Sequence, residues 1–205
     1  MPRLARSSFP THFFHIMVQG INKEFIFSKK YYIETYLNLM HKYIHEFSVT
    51  ILSYCIMNNH AHLLVFVNDI HDLGKFMHKI NLVYSQFYNK ENHRCGVVFR
   101  NKYKSEPIYD IKHLLNCINY IHLNPVKANM VNSCEEYPYS SYNSYVNSTG
   151  VCNNKILFEL FGLYYDYTKA LTITENSIFF DIDSPTFSEI SALMDQRIIV
   201  FLKQK

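Results

Sequence analysis

The sequence contains no tryptophan and little glycine or proline: of its 205 residues, 5 are glycine and 6 are proline. Hydrophobic residues make up 48% of the chain and charged residues 18%. This composition excludes collagen-like, coiled-coil and wholly disordered proteins, because enough apolar surface is present to offset the entropy lost on ordering. The length predicts one hydrophobic core with a tail or subdomain.

The chain also lacks a strong net charge, a cysteine framework and a long apolar run. Its formal net charge of +3 permits nucleic-acid binding without requiring it. The 5 cysteines are odd in number and include no C-x-x-C pair, so a reducing cytoplasm fits better than a disulfide framework or a zinc ribbon. No apolar stretch of about 18 residues occurs, and we expect a protein that is neither secreted nor membrane-spanning.

Apolar periodicity predicts an α+β protein with the order β-α-β-β-α-β. The predicted strands are 13–21, 49–57, 61–67, 97–99 and 103–108, and the first two helices are 29–47 and 72–89. This order is that of the ferredoxin-like fold, an antiparallel sheet backed by two helices. A third helix is predicted from the capping residue Asp110 to Leu123, where Pro125 should stop it. Weaker patterns predict an ordered loop at 137–142, a short helix at 155–161 and a terminal helix at 187–202.

Two histidines separated by one alanine lie at the start of a predicted strand. Side chains two residues apart on a strand point to the same face, so His60 and His62 present two imidazoles side by side while Ala61 faces the core. The pair predicts a bidentate metal site. Taken alone, such a pair is more often incidental, because a histidine on a sheet surface usually forms hydrogen bonds or is exposed.

A second group of polar side chains lies on the predicted third helix. Tyr120 and Asn124 are four residues apart and therefore share one helix face, whereas Ile118 and Ile121 point elsewhere. Two imidazoles, one amide oxygen and open positions for water and phosphate oxygens suit Mg²⁺ or Mn²⁺ better than structural zinc. The alternative is that Tyr120 is one of 17 ordinary tyrosines and that Asn124 caps the end of the helix.

These motifs resemble those of a known family. The stretch from His60 to His62 is similar to the His-hydrophobic-His motif of the HUH single-tyrosine transposases. Residues 120–128 (YIHLNPVKA) are similar to the signature of the branch called REP-associated tyrosine transposases. Residues 99–105 (FRNKYKS) and 137–142 (YPYSSY) resemble further stretches of that branch in the same order, so the resemblance covers about residues 13–145.

The resemblance implies an enzyme that cleaves and rejoins single-stranded DNA. In such transposases a tyrosine attacks a phosphodiester, leaving a 5′-phosphotyrosine link and a free 3′-OH, and strand transfer reverses the step. The matching motif makes Tyr120 the catalytic nucleophile and His60, His62 and Asn124 the ligands of Mg²⁺ or Mn²⁺. The alternative is a catalytically silent single-stranded nucleic-acid-binding protein or repressor of the same fold. The four site residues argue against it, because binding alone does not require them.

The resemblance also implies a DNA partner and a domain organisation. Family substrates are DNA hairpins, and the basic residues expected to contact phosphates are Arg3, Arg6, Arg100, Lys102, Lys104 and Lys127. We expect a catalytic domain over residues 1–145, including an added catalytic helix, and a C-terminal helical extension over 146–205 that is a short form or a truncated copy. A bacterial cytoplasmic protein, associated with the nucleoid when bound to DNA, is implied; both monomers and homodimers fit.

Overall fold

The computed structural model describes residues 11–147 of the chain, and these form a mixed helix and sheet structure. In chain order its elements are β1 (Phe13–Gln19), α1 (Lys30–Tyr43), β2 (Val49–Met57), β3 (His60–Val67), α2 (Ile70–Glu91), β4 (Lys104–Ile108), α3 (Ile111–Lys127) and α4 (Tyr142–Asn147). The four strands form one antiparallel sheet in the order β2-β3-β1-β4. The predicted α+β ferredoxin-like fold is therefore confirmed.

Helices pack on both faces of the sheet. Alternate residues of β1 face the layer of α1 and α2, with Phe14, Ile16 and Val18 buried there. Phe13 points the opposite way and packs with residues of α3, including Ile118. Because strand side chains alternate between faces, this alternation decides which residues can meet α3. The face that carries α3 is the one that carries the polar site.

The two helices of the first layer follow their apolar spacing. In α1 the buried residues Ile33, Tyr36 and Met40 recur at intervals of three and four. Helix α2 begins where the side chain of Asp69 accepts a hydrogen bond of 2.8 Å from the backbone N–H of His71. Helix α1 ends at Tyr43, earlier than the predicted residue 47, and the chain turns into β2 through a positive φ of 50° at Ser48.

Two predictions of secondary structure are wrong. Residues 97–99 do not form a strand, because only Phe99 makes an isolated bridge, to Gly20 at the end of β1. Helix α3 continues through Pro125 to Lys127, although proline lacks the N–H that a helix interior needs. Leu123 and Val126, on either side of the proline, pack against Cys134 and Tyr142, and this packing offsets the lost hydrogen bond.

The outer edge of β2 is paired with the segment 137–145. The N–H of Ile56 donates to the carbonyl of Tyr139 at 3.0 Å, and the N–H of Ser141 donates to the carbonyl of Tyr54 at 2.9 Å. The hydroxyl of Ser141 accepts a hydrogen bond of 2.8 Å from the N–H of Tyr54. Two tyrosine hydroxyls of the segment donate to further β2 carbonyls, Tyr137 to Ile56 and Tyr145 to Leu52. The predicted loop is thus ordered by the sheet itself.

Several predictions fall outside the described residues. These are the basic residues Arg3 and Arg6, the helices at 155–161 and 187–202, and almost all of the extension over 146–205. Within residues 11–147, no helix is long and apolar enough to cross a membrane.

Candidate functional site

Two imidazoles stand next to each other on β3, on the face that carries α3. The ring centroids of His60 and His62 are 5.0 Å apart and the rings are nearly perpendicular, at 89°. Ala61 between them is fully buried in the layer of α1 and α2, as its position in the strand predicts. His62 is buried, whereas His60 is half-buried at the end of the strand. Solvent therefore reaches the pair mainly from the side of His60.

Helix α3 brings Tyr120 against this pair. Ile118 and Ile121 are buried and attach the helix to the sheet, so Tyr120 lies at the margin of the contact. Its ring meets His62 edge to face, with a centroid distance of 5.4 Å and an angle of 86°. The tyrosine remains 42% exposed, which leaves it open to a large substrate. The structure thus brings together Tyr120, the predicted nucleophile, and the two histidines, which were predicted from a separate motif.

Asn124 and Lys127 continue the same face of α3 towards its end. The amide Nδ2 of Asn124 donates to the carbonyl of Tyr120 at 2.8 Å, one turn earlier, which leaves its Oδ1 as a free oxygen donor atom for a ligand. Asn124 does not cap the helix, because the cap is Ala128. The ammonium of Lys127 lies 5.6 Å from the centre of the Tyr120 ring. A positive charge therefore stands beside the tyrosine.

A third histidine, which the sequence analysis did not identify, belongs to this cluster. His15 on β1 is hydrogen-bonded through Nε2 to Nδ1 of His62 at 2.9 Å, and the two rings lie edge to edge with centroids 5.1 Å apart. Its ring also lies 5.8 Å from that of Tyr120. On its other side, Nδ1 of His15 is 3.8 Å from the carboxylate of Glu106 on β4. We refer to His15, His60, His62 and Tyr120 as the histidine–tyrosine cluster.

Burial keeps the imidazoles of the cluster neutral near pH 7. Burial, together with repulsion of a positive charge by the neighbouring His15 and His60, lowers the pKa of His62 to about 3. The pKa of His60 is lowered by burial. Burial also lowers the pKa of His15, although Glu106 opposes this shift. Neutral imidazole is the form that binds a metal ion, so the electrostatics favour ligation.

The donor atoms present fit a divalent cation. Asn59 donates its Nδ2 to the carbonyl of Lys23, so its Oδ1 accepts the proton of His60 Nδ1, 2.5 Å away. Nε2 of His60 is then left with a free lone pair. Within residues 11–147 no group of three or more His, Cys, Asp or Glu side chains could hold a metal ion. The candidate set is instead two imidazoles and the amide oxygen of Asn124, which suits an ion that keeps water and phosphate oxygens as its other ligands.

Comparison with known protein families decides the class of this chain. Residues 8–124 match the model of a family described as "Transposase IS200 like", and the match covers more than half of the chain. The chain belongs to the IS200-like transposase family. His60, His62 and Tyr120, the three cluster residues that belong to the sequence motifs, lie within the matched region.

Individual relatives of this transposase lie in the branch indicated by its motifs. A REP-associated tyrosine transposase of Haemophilus influenzae is 24% identical over 143 residues, which are 64% of this chain and 78% of the relative. A solved structure of a REP-associated tyrosine transposase bound to a REP hairpin superposes with a TM-score of 0.60 at 16% identity. That match covers 75% of this chain and 89% of the other. The sequence motifs and these two matches point to the same branch, and the structural match confirms the fold.

The four basic residues within 11–147 of this transposase that were predicted to bind DNA do not lie together. Lys104 pairs with Met17 across β1 and β4, on the face of the sheet that carries His15. Arg100 is exposed just beyond the end of β1, where its N–H donates to the carbonyl of Gln19 at 2.8 Å. Lys102 lines a cavity of about 410 Å³ beside α2, in the other helical layer. Of these four residues, Lys127 is therefore the one that the structure brings directly to Tyr120.

A buried histidine holds α3 of the transposase on the sheet. His122, two residues after Tyr120, forms hydrogen bonds through Nε2 with the hydroxyls of Ser53 at 3.1 Å and Ser141 at 2.7 Å. Ser53 follows a bulge in β2 that lies between Ile51 and Ser53. The imidazole therefore joins the helix to β2 and to the segment that pairs with its edge, and so fixes the position from which Tyr120 projects.

Replacing His122 by glutamine should weaken the acid sensitivity of folding. Burial lowers the pKa of His122 to about 3, below the ordinary value of 6.5 that applies to the unfolded chain. Between these two values the unfolded chain binds the extra proton, so stability falls as the pH falls. From pH 7 to pH 5 the free energy of unfolding of the wild type should therefore fall by about 2 kcal/mol more than that of His122→Gln. Below pH 6.5 this difference grows by about 1.4 kcal/mol per pH unit.

Urea unfolding followed by circular dichroism at each pH measures this difference. The matched control is His41→Gln, which replaces a histidine that is exposed on α1. Equal pH dependence in wild type and His122→Gln would contradict the assignment of a neutral buried imidazole.

Proposed function

We propose that this transposase cleaves and rejoins single-stranded hairpin DNA through a covalent link to Tyr120, with Mg²⁺ or Mn²⁺ held by His60, His62 and Asn124. The observation that carries the proposal is the edge-to-face contact of Tyr120 with His62, whose ring centroids are 5.4 Å apart. Tyr120 comes from α3 and the two neutral imidazoles come from β3, and the three side chains meet at one solvent-exposed place. Metal-assisted phosphoryl transfer needs a nucleophile beside metal ligands in this way.

In the proposed reaction the phenolic oxygen of Tyr120 attacks the phosphorus of a DNA phosphodiester. The phenol gives up its proton as the new bond forms, the bond from phosphorus to the 3′-oxygen breaks, the leaving 3′-oxygen takes up a proton, and the 5′-phosphate stays on the tyrosine. In the reverse step a 3′-OH attacks the phosphotyrosine and releases the tyrosine. A phenolate leaves more readily than an alkoxide, so the covalent intermediate keeps the bond available for rejoining. The exposure of Tyr120 supports access by a DNA backbone.

The surrounding residues are proposed to prepare the phosphate for attack. A bound divalent cation supplies neutralisation of the phosphate charge and stabilisation of the leaving oxygen. Asn59 holds the proton of His60 on Nδ1 and so presents Nε2 as a ligand atom. Asn124 anchors its amide nitrogen on the Tyr120 carbonyl and offers its oxygen from the same helix face. Lys127 adds a positive charge beside the tyrosine ring, where a phosphate would lie.

The proposed partner is a DNA hairpin, and the proposed location is the bacterial cytoplasm. A transposase of the same fold is bound to a REP hairpin in its solved structure, which supports the choice of substrate. Lys104 shares the sheet face of the cluster and is the second cation, after Lys127, that we expect to contact this DNA. Arg100 and Lys102 lie away from the cluster and are proposed as weaker contacts, and Arg3 and Arg6 are proposed as further basic contacts.

Formation of a protein–DNA adduct tests the proposal directly. The protein is incubated with labelled single-stranded hairpin DNA from the sequence flanking its own gene, with Mg²⁺, with Mn²⁺ or with EDTA. We expect a labelled adduct that survives denaturing electrophoresis and appears only with a divalent cation. The control is a strand of the same composition that cannot form the hairpin. Binding of several hairpins without any adduct would instead favour a silent binding protein of the same fold.

A further inference from the structure

His60 and His62 are each hydrogen-bonded to a neighbouring side chain, but the two partners are chemically different. Asn59 turns an amide oxygen towards His60, and an oxygen can only accept, so it fixes the proton of His60 on Nδ1. The partner of His62 is another imidazole, since Nδ1 of His62 lies 2.9 Å from Nε2 of His15. An imidazole can donate or accept through this nitrogen. The contact alone therefore leaves open which nitrogen of His62 carries the proton.

Glu106 removes this ambiguity through its position beside His15. The two residues are directly opposite each other in the pairing of β1 with β4, and Nδ1 of His15 lies 3.8 Å from Oε2 of Glu106. A carboxylate can only accept hydrogen bonds, so Glu106 favours the form of His15 whose proton is on Nδ1, the nitrogen that faces it. Nε2 of His15 is then an acceptor, and the proton between the two rings belongs to Nδ1 of His62. Nε2 of His62 is left with a free lone pair.

We propose that His15, supported by Glu106, is a positioning residue that holds the proton of His62 on Nδ1 and fixes the orientation of its ring, so that Nε2 can bind a divalent cation. This inference deepens the proposed function and rests on His62 as a metal ligand. The opposite proton arrangement would point a lone pair of His15 at the carboxylate and would place a proton on Nε2 of His62, which then could not bind a metal ion. Partners of this kind orient metal-bound imidazoles and typically raise affinity about 10–100-fold.

The packing of the two rings supports a positioning role. The ring planes of His15 and His62 are within 23° of parallel and the rings meet edge to edge, so the hydrogen bond runs close to both planes and limits rotation of the His62 ring as well as its proton. In the pairing of β1 with β3, His15 lies opposite Leu64 and His62 opposite Met17, which places the two histidines diagonally across the strands. This contact thus comes from the register of rigid strands rather than from a loop.

Nitrogen spectroscopy and Mn²⁺ binding together test the proposal. The full chain is labelled with ¹⁵N, and long-range ¹H–¹⁵N spectra show which nitrogen of each imidazole carries the proton. The signals of His62 are assigned by their loss in His62→Ala. Binding of Mn²⁺ is measured from the electron paramagnetic resonance signal of the free ion. In His15→Leu the ring partner is removed, whereas in His15→Gln the amide oxygen can accept from His62 and the amide nitrogen can donate to Glu106.

In the wild type we expect the proton of His62 on Nδ1. We expect His15→Leu to populate the Nε2–H form and to bind Mn²⁺ about 10–100-fold more weakly. His15→Gln should bind close to the wild type, and this rescue separates positioning from simple packing. A wild-type proton on Nε2, or unchanged Mn²⁺ affinity in folded His15→Leu, would overturn the proposal. If His15→Leu does not fold, the wild-type spectrum still decides.

His62→Ala distinguishes this inference from the function on which it rests. Loss of Mn²⁺ binding in His62→Ala together with unchanged binding in His15→Leu would overturn the positioning role and leave His62 as a ligand. Unchanged binding in His62→Ala would overturn the metal site itself.

Discussion

Replacing Tyr120 by phenylalanine is expected to abolish the covalent adduct with hairpin DNA. The substitution removes one oxygen atom from a ring that is 42% exposed, so the fold and the contact with His62 should persist. Without the phenolic oxygen no phosphotyrosine can form. Removal of a catalytic nucleophile typically lowers the rate by about 10⁴-fold or more. Strand cleavage should therefore fall by at least about 10⁴-fold in single-turnover assays with labelled hairpin DNA.

A matched variant controls for the loss of a tyrosine hydroxyl. Tyr31 is 40% exposed on α1, in the helical layer on the opposite face of the sheet. Tyr31→Phe should form the adduct at the wild-type rate. Both variants should bind the hairpin as the wild type does, because neither loses a charge. An adduct of unchanged yield in Tyr120→Phe would exclude Tyr120 as the nucleophile.

Replacing His60 or His62 by alanine should have the second largest effect, on metal binding and cleavage together. Each substitution removes one of two imidazoles that burial keeps neutral. The loss of a direct ligand should exceed the roughly 10–100-fold loss of affinity that follows removal of a partner behind a ligand. We expect weaker binding of Mn²⁺ in calorimetric titration and, in each variant, cleavage that requires higher concentrations of the ion.

The chain provides a control for the histidine substitutions. His41 and His45 are exposed on α1 and near its C-terminal end, and their rings lie 6.5 Å apart. The double variant His41→Ala, His45→Ala removes two imidazoles without touching the cluster. Its Mn²⁺ affinity and cleavage should match the wild type. Equal losses in this control would mean that the histidines bind the ion nonspecifically.

Much of the fold could be predicted because its signals are local. The bounds of β2 agree with the prediction residue for residue, since β-branched and apolar residues end at the turn signal of Asn58 and Asn59. The cores of α1 and α2 follow from apolar spacing. The predicted end of α3 at Leu123 was wrong because a proline by itself usually ends a helix. In the structure Val126 packs against Cys134 and Tyr142, which lie further along the chain, and the helix continues to Lys127.

The site could be predicted only where it has a motif. His60, His62 and Tyr120 were found from their spacing and from the resemblance, and the structure brings them into contact. His15 stands alone in an apolar strand, and nothing in its neighbours distinguishes it from a surface histidine. Its contact with His62 depends on the register of β1 against β3, which are separated in sequence by α1 and β2. Register between distant strands has no local signal.

The hydrogen bonds between β2 and the segment 137–145 also bear on aggregation. A strand at the end of a sheet commonly offers unpaired N–H and carbonyl groups to which a strand of another molecule can add. In β2 the outward groups of Leu52, Tyr54 and Ile56 are bonded to the protein's own later segment. At the opposite end, Pro107 lies within β4 and has no N–H to donate. The segment that helps hold the Tyr120 helix in place therefore also protects one edge of the sheet from intermolecular strand addition.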